Sequence, residues 1–178
     1  NFTFNDLTHK GALTAIRIEG PSNSVDERIK RLIRELSLHE NEFSILESVQ
    51  TNIFWNKTKN LEVFSNSKSN LLRIVVPVSE TLNVIQKLKT FDVNYFLDWG
   101  GSLIWLELEK INLKTLREIK EITQQHSGYC TIIKVEEDLK ASADIFTINP
   151  IKYKISEKIK KSFDPKRIFN PGKMYSGI

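Results

Sequence analysis

The sequence predicts an α+β fold: an antiparallel sheet backed by helices, with room for two ferredoxin-like halves, ending in a carboxy-terminal helix and a terminal hook. Three observations carry this expectation. Strand and helix patterns alternate along the 178 residues with no low-complexity or Pro/Gly-rich linker between them. Trp99-Gly100-Gly101 joins two apolar runs as an antiparallel hairpin would. Asn149-Pro150 caps and opens a last helix, and the X-Pro pairs Asp164-Pro165 and Asn170-Pro171 stiffen the segment after that helix.

Residues 12–19 alternate Ile16 and Ile18 with Arg17 and Glu19, the pattern of a half-buried strand ended by Gly20-Pro21. Ser24 and Glu27 form a capping box, and Val25, Ile29, Leu32, Ile33 and Leu36 share one helical face. Residues 42–46 predict a short strand, 49–57 a second helix, and 65–70 a polar loop. Residues 71–76 form an apolar run broken only by Arg73 and stopped by Pro77, which reads as a central strand. Ser79 then caps a helix reaching Lys89. Residues 93–98 and 102–109 are the hairpin strands.

Asn112 opens a helix with Leu113, Leu116 and Ile119 inward, Gly128 ends it, and 129–135 is a strand rich in β-branched residues. Residues 138–147 read as irregular. In the last helix Ile151, Ile155, Ile159 and Phe163 recur every four residues, and this stripe is expected to pack. The domain organisation expected is an α+β unit over 1–149, with the helix and hook of 150–178 packed on it.

Composition excludes several classes of function. No run of eighteen apolar residues exists, and the first residues lack a signal-peptide core. One cysteine, Cys130, cannot make an internal disulfide. A cytoplasmic location is therefore expected, with any membrane association arising through partner subunits. The net charge of +4 is uneven: from residue 150 onward there are eight Lys/Arg and two carboxylates, so the tail attracts anions. The three histidines lie far apart and none is spaced with another ligand for metal binding. Neither glycine-rich nucleotide motif occurs, so the chain alone is not expected to hold a dinucleotide. Cys130 lies in an apolar strand and reads as an inert thiol.

Two constellations remain. Asp98-Trp99-Gly100-Gly101, followed by Trp105, holds an acid and an indole at a tight turn, which a hairpin and a packed core would also require. Arg73 lies within an apolar strand, where a guanidinium needs an anion. An internal pair with Asp98 and a bound substrate carboxylate both satisfy that need.

Taken in order, Phe54-Trp55, Leu72-Arg73-Ile74-Val75-Val76-Pro77, Leu97-Asp98-Trp99-Gly100-Gly101 with Trp105, Phe163-Asp164-Pro165 and Phe169-Asn170-Pro171-Gly172-Lys173-Met174-Tyr175 resemble the E-type subunit of bacterial glycolate oxidase. That subunit is of the FAD-linked, vanillyl-alcohol-oxidase type. The terminal motif is shared widely among FAD-linked oxidases, whereas the Asp-Trp-Gly-Gly and Leu-Arg-x-x-x-Pro segments together are more particular. The resemblance implies the carboxy-terminal part of such a subunit, capping an FAD-binding domain that lies upstream of Asn1. It implies that Asn170, Pro171 and Gly172 approach the flavin or the seam between domains, with Lys173 and Arg167 near its anionic groups, and that Arg73 and Trp99 contact substrate.

The activity implied is oxidation of glycolate to glyoxylate, with FAD, a small 2-hydroxy acid and sister subunits as partners; the chain by itself is expected to be inactive. One departure matters. Where the family tends to read Gly-Gly-His-Ala-Thr, this chain reads Ser127-Gly128-Tyr129-Cys130-Thr131, so the histidine's role does not carry over. A non-catalytic assembly or binding module is the rival reading. Nucleic acid is not an expected partner, because no Lys/Arg-Gly-aromatic stretch falls on a strand.

Overall fold

A computed structural model describes residues 2–4, 7–9, 12–39, 42–64, 69–147, 149–173, 175 and 178. Most of the polar loop expected at 65–70 lies outside the described residues. The chain divides into two compact units, Asn1–Ser65 and Asn66–Ile178.

The first unit contains a short antiparallel hairpin, β1 (Phe2–Phe4) and β2 (Leu7–His9), and two helices, α1 (Ser22–Glu35) and α2 (Ser48–Lys59). Helix α1 starts two residues before the expected cap. Pro21 stands at its N-cap with φ −59° and the Ser24 amide bonds the Pro21 carbonyl at 2.9 Å, so Ser24 already lies inside the first turn and the capping box does not form. Proline presets the backbone angle for entry into the helix and loses no needed donor there. The stripe of Val25, Ile29, Leu32 and Ile33 is only half-buried. In α2, Phe54 is buried and meets Trp55 edge-on at 5.2 Å. Residues 12–19 and 42–46, expected as strands, form no strand. Alternation alone does not make a strand: the backbone needs a neighbour to complete its ladder, and none pairs with these segments among the described residues.

The second unit is more regular. Strand β3 (Asn70–Val75), helix α3 (Thr81–Leu88), strands β4 (Val93–Asp98) and β5 (Leu103–Leu108), helix α4 (Leu113–Gln125) and strand β6 (Tyr129–Lys134) form a β-α-β-β-α-β series. The sheet is antiparallel throughout in the order β4-β5-β3-β6, which is the ferredoxin-like topology. One such half is complete among the described residues. Strand alternation sends Leu72 and Ile74 of β3, Ile104, Leu106 and Leu108 of β5, and Cys130 and Ile132 of β6 to one face. There they meet Val84, Ile85 and Leu88 of α3 and Leu116 and Ile119 of α4, and this contact is the core.

Local chemistry accounts for several details. The chain leaves Pro77 through a short 3-10 turn, Val78–Glu80, so Ser79 is not the cap of α3. Thr81 instead ties the start of α3 to the β4–β5 turn, donating its hydroxyl to the Gly101 carbonyl at 2.7 Å. Asn112 caps α4 by accepting from the Thr115 amide at 2.9 Å. Gly128 is required by space: a Cβ there would lie 2.5 Å from the Val75 carbonyl oxygen and 2.3 Å from Val76 Cγ1.

A six-residue helix, α5 (Glu137–Ser142), lies in the stretch read as irregular, and 145–147 runs beside β6 through Ile132 N–H to Ile145 O and Thr147 N–H to Cys130 O. Asn149 caps α6 (Pro150–Phe163) by accepting from the Ile151 and Lys152 amides at 2.8 and 3.1 Å. The expected packing stripe of α6 is not the packing face. Ile151, Ile155, Ile159 and Phe163 are 68%, 53%, 55% and 84% exposed, while Tyr153, Ser156 and Lys160 turn inward. No helix among the described residues is long and apolar enough to cross a membrane.

Candidate functional site

The sheet has a second face, turned away from α3 and α4, and the register defines what stands on it. Phe96 of β4, Trp105 of β5, Arg73 of β3 and Thr131 of β6 are direct neighbours in one row across the four strands. Residues directly opposite in a ladder project to the same side, so this row is a strip of two aromatics, a cation and a hydroxyl. The Phe96 and Trp105 rings lie 6.5 Å apart, tilted by 31°. On the same face Glu107 is buried, accepting from Ser69 Oγ at 2.6 Å and from Asn94 Nδ2 at 3.3 Å.

Trp99 reaches this face from the hairpin turn. Trp99, Gly100 and Gly101 have φ of 51°, 63° and 100°, a left-handed run that glycine enters without steric cost and tryptophan does not. Neighbouring bonds hold it: Asp98 Oδ1 accepts from the Trp99 amide at 2.7 Å, and the Ser102 hydroxyl donates to the Trp99 carbonyl at 3.0 Å. The indole is thereby displayed, 59% exposed, and the Arg73 guanidinium carbon lies 5.0 Å from its ring centroid. Such a cation–ring contact contributes about 0.5–1 kcal/mol at an exposed site.

The two residues singled out for substrate contact, Arg73 and Trp99, are therefore together, and the internal Arg73–Asp98 ion pair does not form among the described residues. Asp98 is occupied by the turn. Arg73 presents a planar fork of N–H donors whose companion is a ring rather than a carboxylate, an arrangement suited to a small anion.

The terminal hook is a separate construction. Asp164 is buried at the end of α6 and accepts from the Ile168 and Phe169 amides, both at 2.9 Å. Lys160, one turn earlier, bonds Asp164 Oδ2 at 2.7 Å and also donates to the Phe169 carbonyl. The Lys160 hydrogen bond, with the two backbone amides, holds the Asp164 carboxyl down at about 2. The hook then closes through the Gly172 amide on the Ile178 carbonyl at 2.7 Å, while the Tyr175 ring meets Tyr153 edge-on at 6.1 Å and Phe146 at 6.0 Å, tilted by 56°.

Between α6 and the hook lies a cavity of about 600 Å³ lined by Ile159, Phe163, Phe169, Asn170, Tyr175 and Ile178, with Lys160 and Asp164 beside it. Of the expected cofactor contacts, Asn170 lines this cavity; Arg167, Pro171, Gly172 and Lys173 are exposed. Asn170 has φ of 46°, a turn rather than an extended geometry before its proline; asparagine is among the few non-glycine residues that take this region readily. No hydrogen bond, ion pair or ring contact among the described residues joins the hook to the Arg73–Trp99 pair.

Sequence reasoning met Asp164 only as the turn residue before Pro165, and did not single out Glu107 or the His126–Glu80 pair. Their signals were faint: a lysine one helical turn before Asp164, and an acid alternating with Trp105 inside an apolar strand. His126 Nδ1 lies 2.6 Å from Glu80 Oε2, and bonds from His126 and Asn83 lower the Glu80 carboxyl below the ordinary range. Cys130 is fully buried, and loss of solvation pushes its thiol up to about 12, which leaves it protonated and unreactive. No three His, Cys, Asp or Glu side chains among the described residues converge to hold a metal. No protein-family model, curated protein or solved structure matches this chain.

Proposed function

We propose that the chain is the carboxy-terminal, substrate-side part of an FAD-linked 2-hydroxy-acid oxidase subunit acting on glycolate within a multisubunit complex. The observation that carries this reading is the Arg73 guanidinium laid on the Trp99 ring beside an aromatic row, with no carboxylate partner among the described residues. Arg73 would bind the substrate carboxylate through its fork of donors. Trp99, fixed by Asp98 and Ser102, would cover that pair and limit water, which strengthens the attraction. Phe96 and Trp105 would form an apolar floor.

The fit to FAD is one-sided. A flat aromatic and cationic strip suits a ring system, but the glycines among the described residues form no pyrophosphate cradle: Gly100, Gly101 and Gly172 serve turns, and Gly128 is packed against Val75 and Val76. The pyrophosphate end is therefore assigned to an FAD-binding domain outside these 178 residues. Asn170, Pro171, Gly172, Lys173 and Arg167 remain the proposed cofactor-side contacts, supported by their exposure and by the basic surroundings of the hook. When bound, the flavin supplies the hydride acceptor; this chain's residues bind and orient the acid.

A second reading, an assembly module without flavin chemistry, draws on the exposed apolar stripe of α6. One experiment separates the two. In the complete enzyme with its flavin domain and sister subunits, Arg73→Ala should lower glycolate turnover by about a hundredfold while visible flavin absorbance and subunit composition stay as in the wild type. Unchanged turnover would remove Arg73 from the site, and a complete enzyme without flavin would favour the assembly reading.

A further inference from the structure

Arg73 and Trp99 account for a carboxylate and its cover, and the same end of the sheet presents one more group. The Arg73 guanidinium leans onto Trp99, the residue after Asp98. Asp98 is opposite Leu103, Leu103 is opposite Val75, and Val75 is opposite Tyr129. Trp99 stands beyond the β4 end of this row and Tyr129 at its β6 end, so Arg73, on β3 between them, has the indole on one side and Tyr129 on the other. Because Arg73 is opposite Thr131, Tyr129 is its diagonal neighbour on β6 and projects to the same face. Diagonal partners are about 7–8 Å apart at the backbone, a separation that long and aromatic side chains can span directly or through a small ligand held by both. Tyr129 is 49% exposed and its hydroxyl makes no hydrogen bond among the described residues. Asp98, the other titratable group of that row, is turned to the Trp99 amide.

We infer that Tyr129 is a third binding group of this site, taking the 2-hydroxyl of a small 2-hydroxy acid whose carboxylate is held by Arg73. The inference rests on the substrate-side reading above and adds the group that distinguishes a hydroxy acid from the corresponding simple acid. A phenol both donates and accepts, so it can meet a hydroxyl that a guanidinium, a donor only, cannot receive a hydrogen bond from.

The test uses the 178-residue chain and needs no flavin: glycolate and acetate are titrated separately and followed by NMR. The wild type should bind glycolate about five- to tenfold more tightly than acetate, the worth of one hydrogen bond. Tyr129→Phe keeps the ring and the exposed strand position, so folding is preserved; it should bring the two affinities together while leaving acetate binding unchanged. Arg73→Ala should abolish both. Binding of both acids with a preference that survives Tyr129→Phe would overturn the role of Tyr129 and leave the Arg73 site standing. Equal affinity for the two acids in the wild type would overturn it as well. Binding of neither acid by the wild type would overturn the substrate-side reading together with it.

Discussion

Strand β3 and helix α6 each carry a regular apolar stripe, and only one stripe is covered. On β3, Leu72 and Ile74 are fully buried because β5 and β6 flank the strand and α3 and α4 close over that face. On α6, Ile151, Ile155, Ile159 and Phe163 stay exposed, and the helix is held instead by its cap, by Tyr153 and by the Lys160–Asp164 network. Periodicity states which residues can share a face; the neighbouring elements decide whether that face is buried. The comparison is broken most directly by one substitution in each stripe. Ile74→Ala should destabilise the chain by about 2–5 kcal/mol, from lost burial plus the cavity left behind. Ile155→Ala should change stability by no more than about 0.5 kcal/mol, since its side chain is already half in water and alanine favours a helix. Denaturant midpoints of the two variants measure the contrast, and equal losses would mean that the α6 stripe is covered in solution.

Next in size is Gly128→Ala, which tests how closely α4 is set against the sheet. The added methyl would meet the Val75 carbonyl oxygen and Val76 Cγ1 well inside van der Waals distance, with Thr123 Cγ2 at 3.0 Å behind it. Backbone cannot give way as a side chain tip does. A loss of about 1–3 kcal/mol in chemical unfolding is expected, and a neutral result would show that the α4–β6 connection adjusts freely.

What the sequence disclosed obeys the same division. Strand 93–98, the Trp99 turn and the Asn112 and Asn149 caps were legible because short-range chemistry determines them: left-handed glycines and amide caps act within a few residues. Residues 12–19 carried the alternation of a strand but found no ladder partner among the described residues, a fact set by distant chain. In the candidate site, Arg73 and Trp99 were each noticeable, yet their contact depends on the register of β3, β5 and β4 and on the left-handed angle of Trp99, neither of which a residue string displays. Asp98 was the natural partner for Arg73 by charge, but it was claimed locally by the Trp99 amide. Asp164 read as a turn former, and its burial under the hook depends on residues on both sides of it.

That anchor gives the smallest effect and the sharpest local one. Asp164 is held at about 2, below its ordinary 3.8, by the bond from Lys160 and by the Ile168 and Phe169 amides, so the folded hook favours the ionised form. A carboxyl with a depressed folded value contributes stability that is complete above its ordinary value and is lost as pH falls through the lower one. Protection of the Ile168 and Phe169 amides from hydrogen exchange should therefore be constant at neutral pH and decline, relative to β3 amides, between about 4 and 2. Asp164→Asn should remove that acid-dependent decline and lower protection at neutral pH, because the amide keeps one acceptor but loses the charge that binds Lys160. The β3 amides should be unaffected in both cases, since β3 is flanked by β5 and β6 and its hydrogen bonds lie inside the sheet. A decline shared equally by β3 would assign the acid sensitivity to the whole unit rather than to the hook.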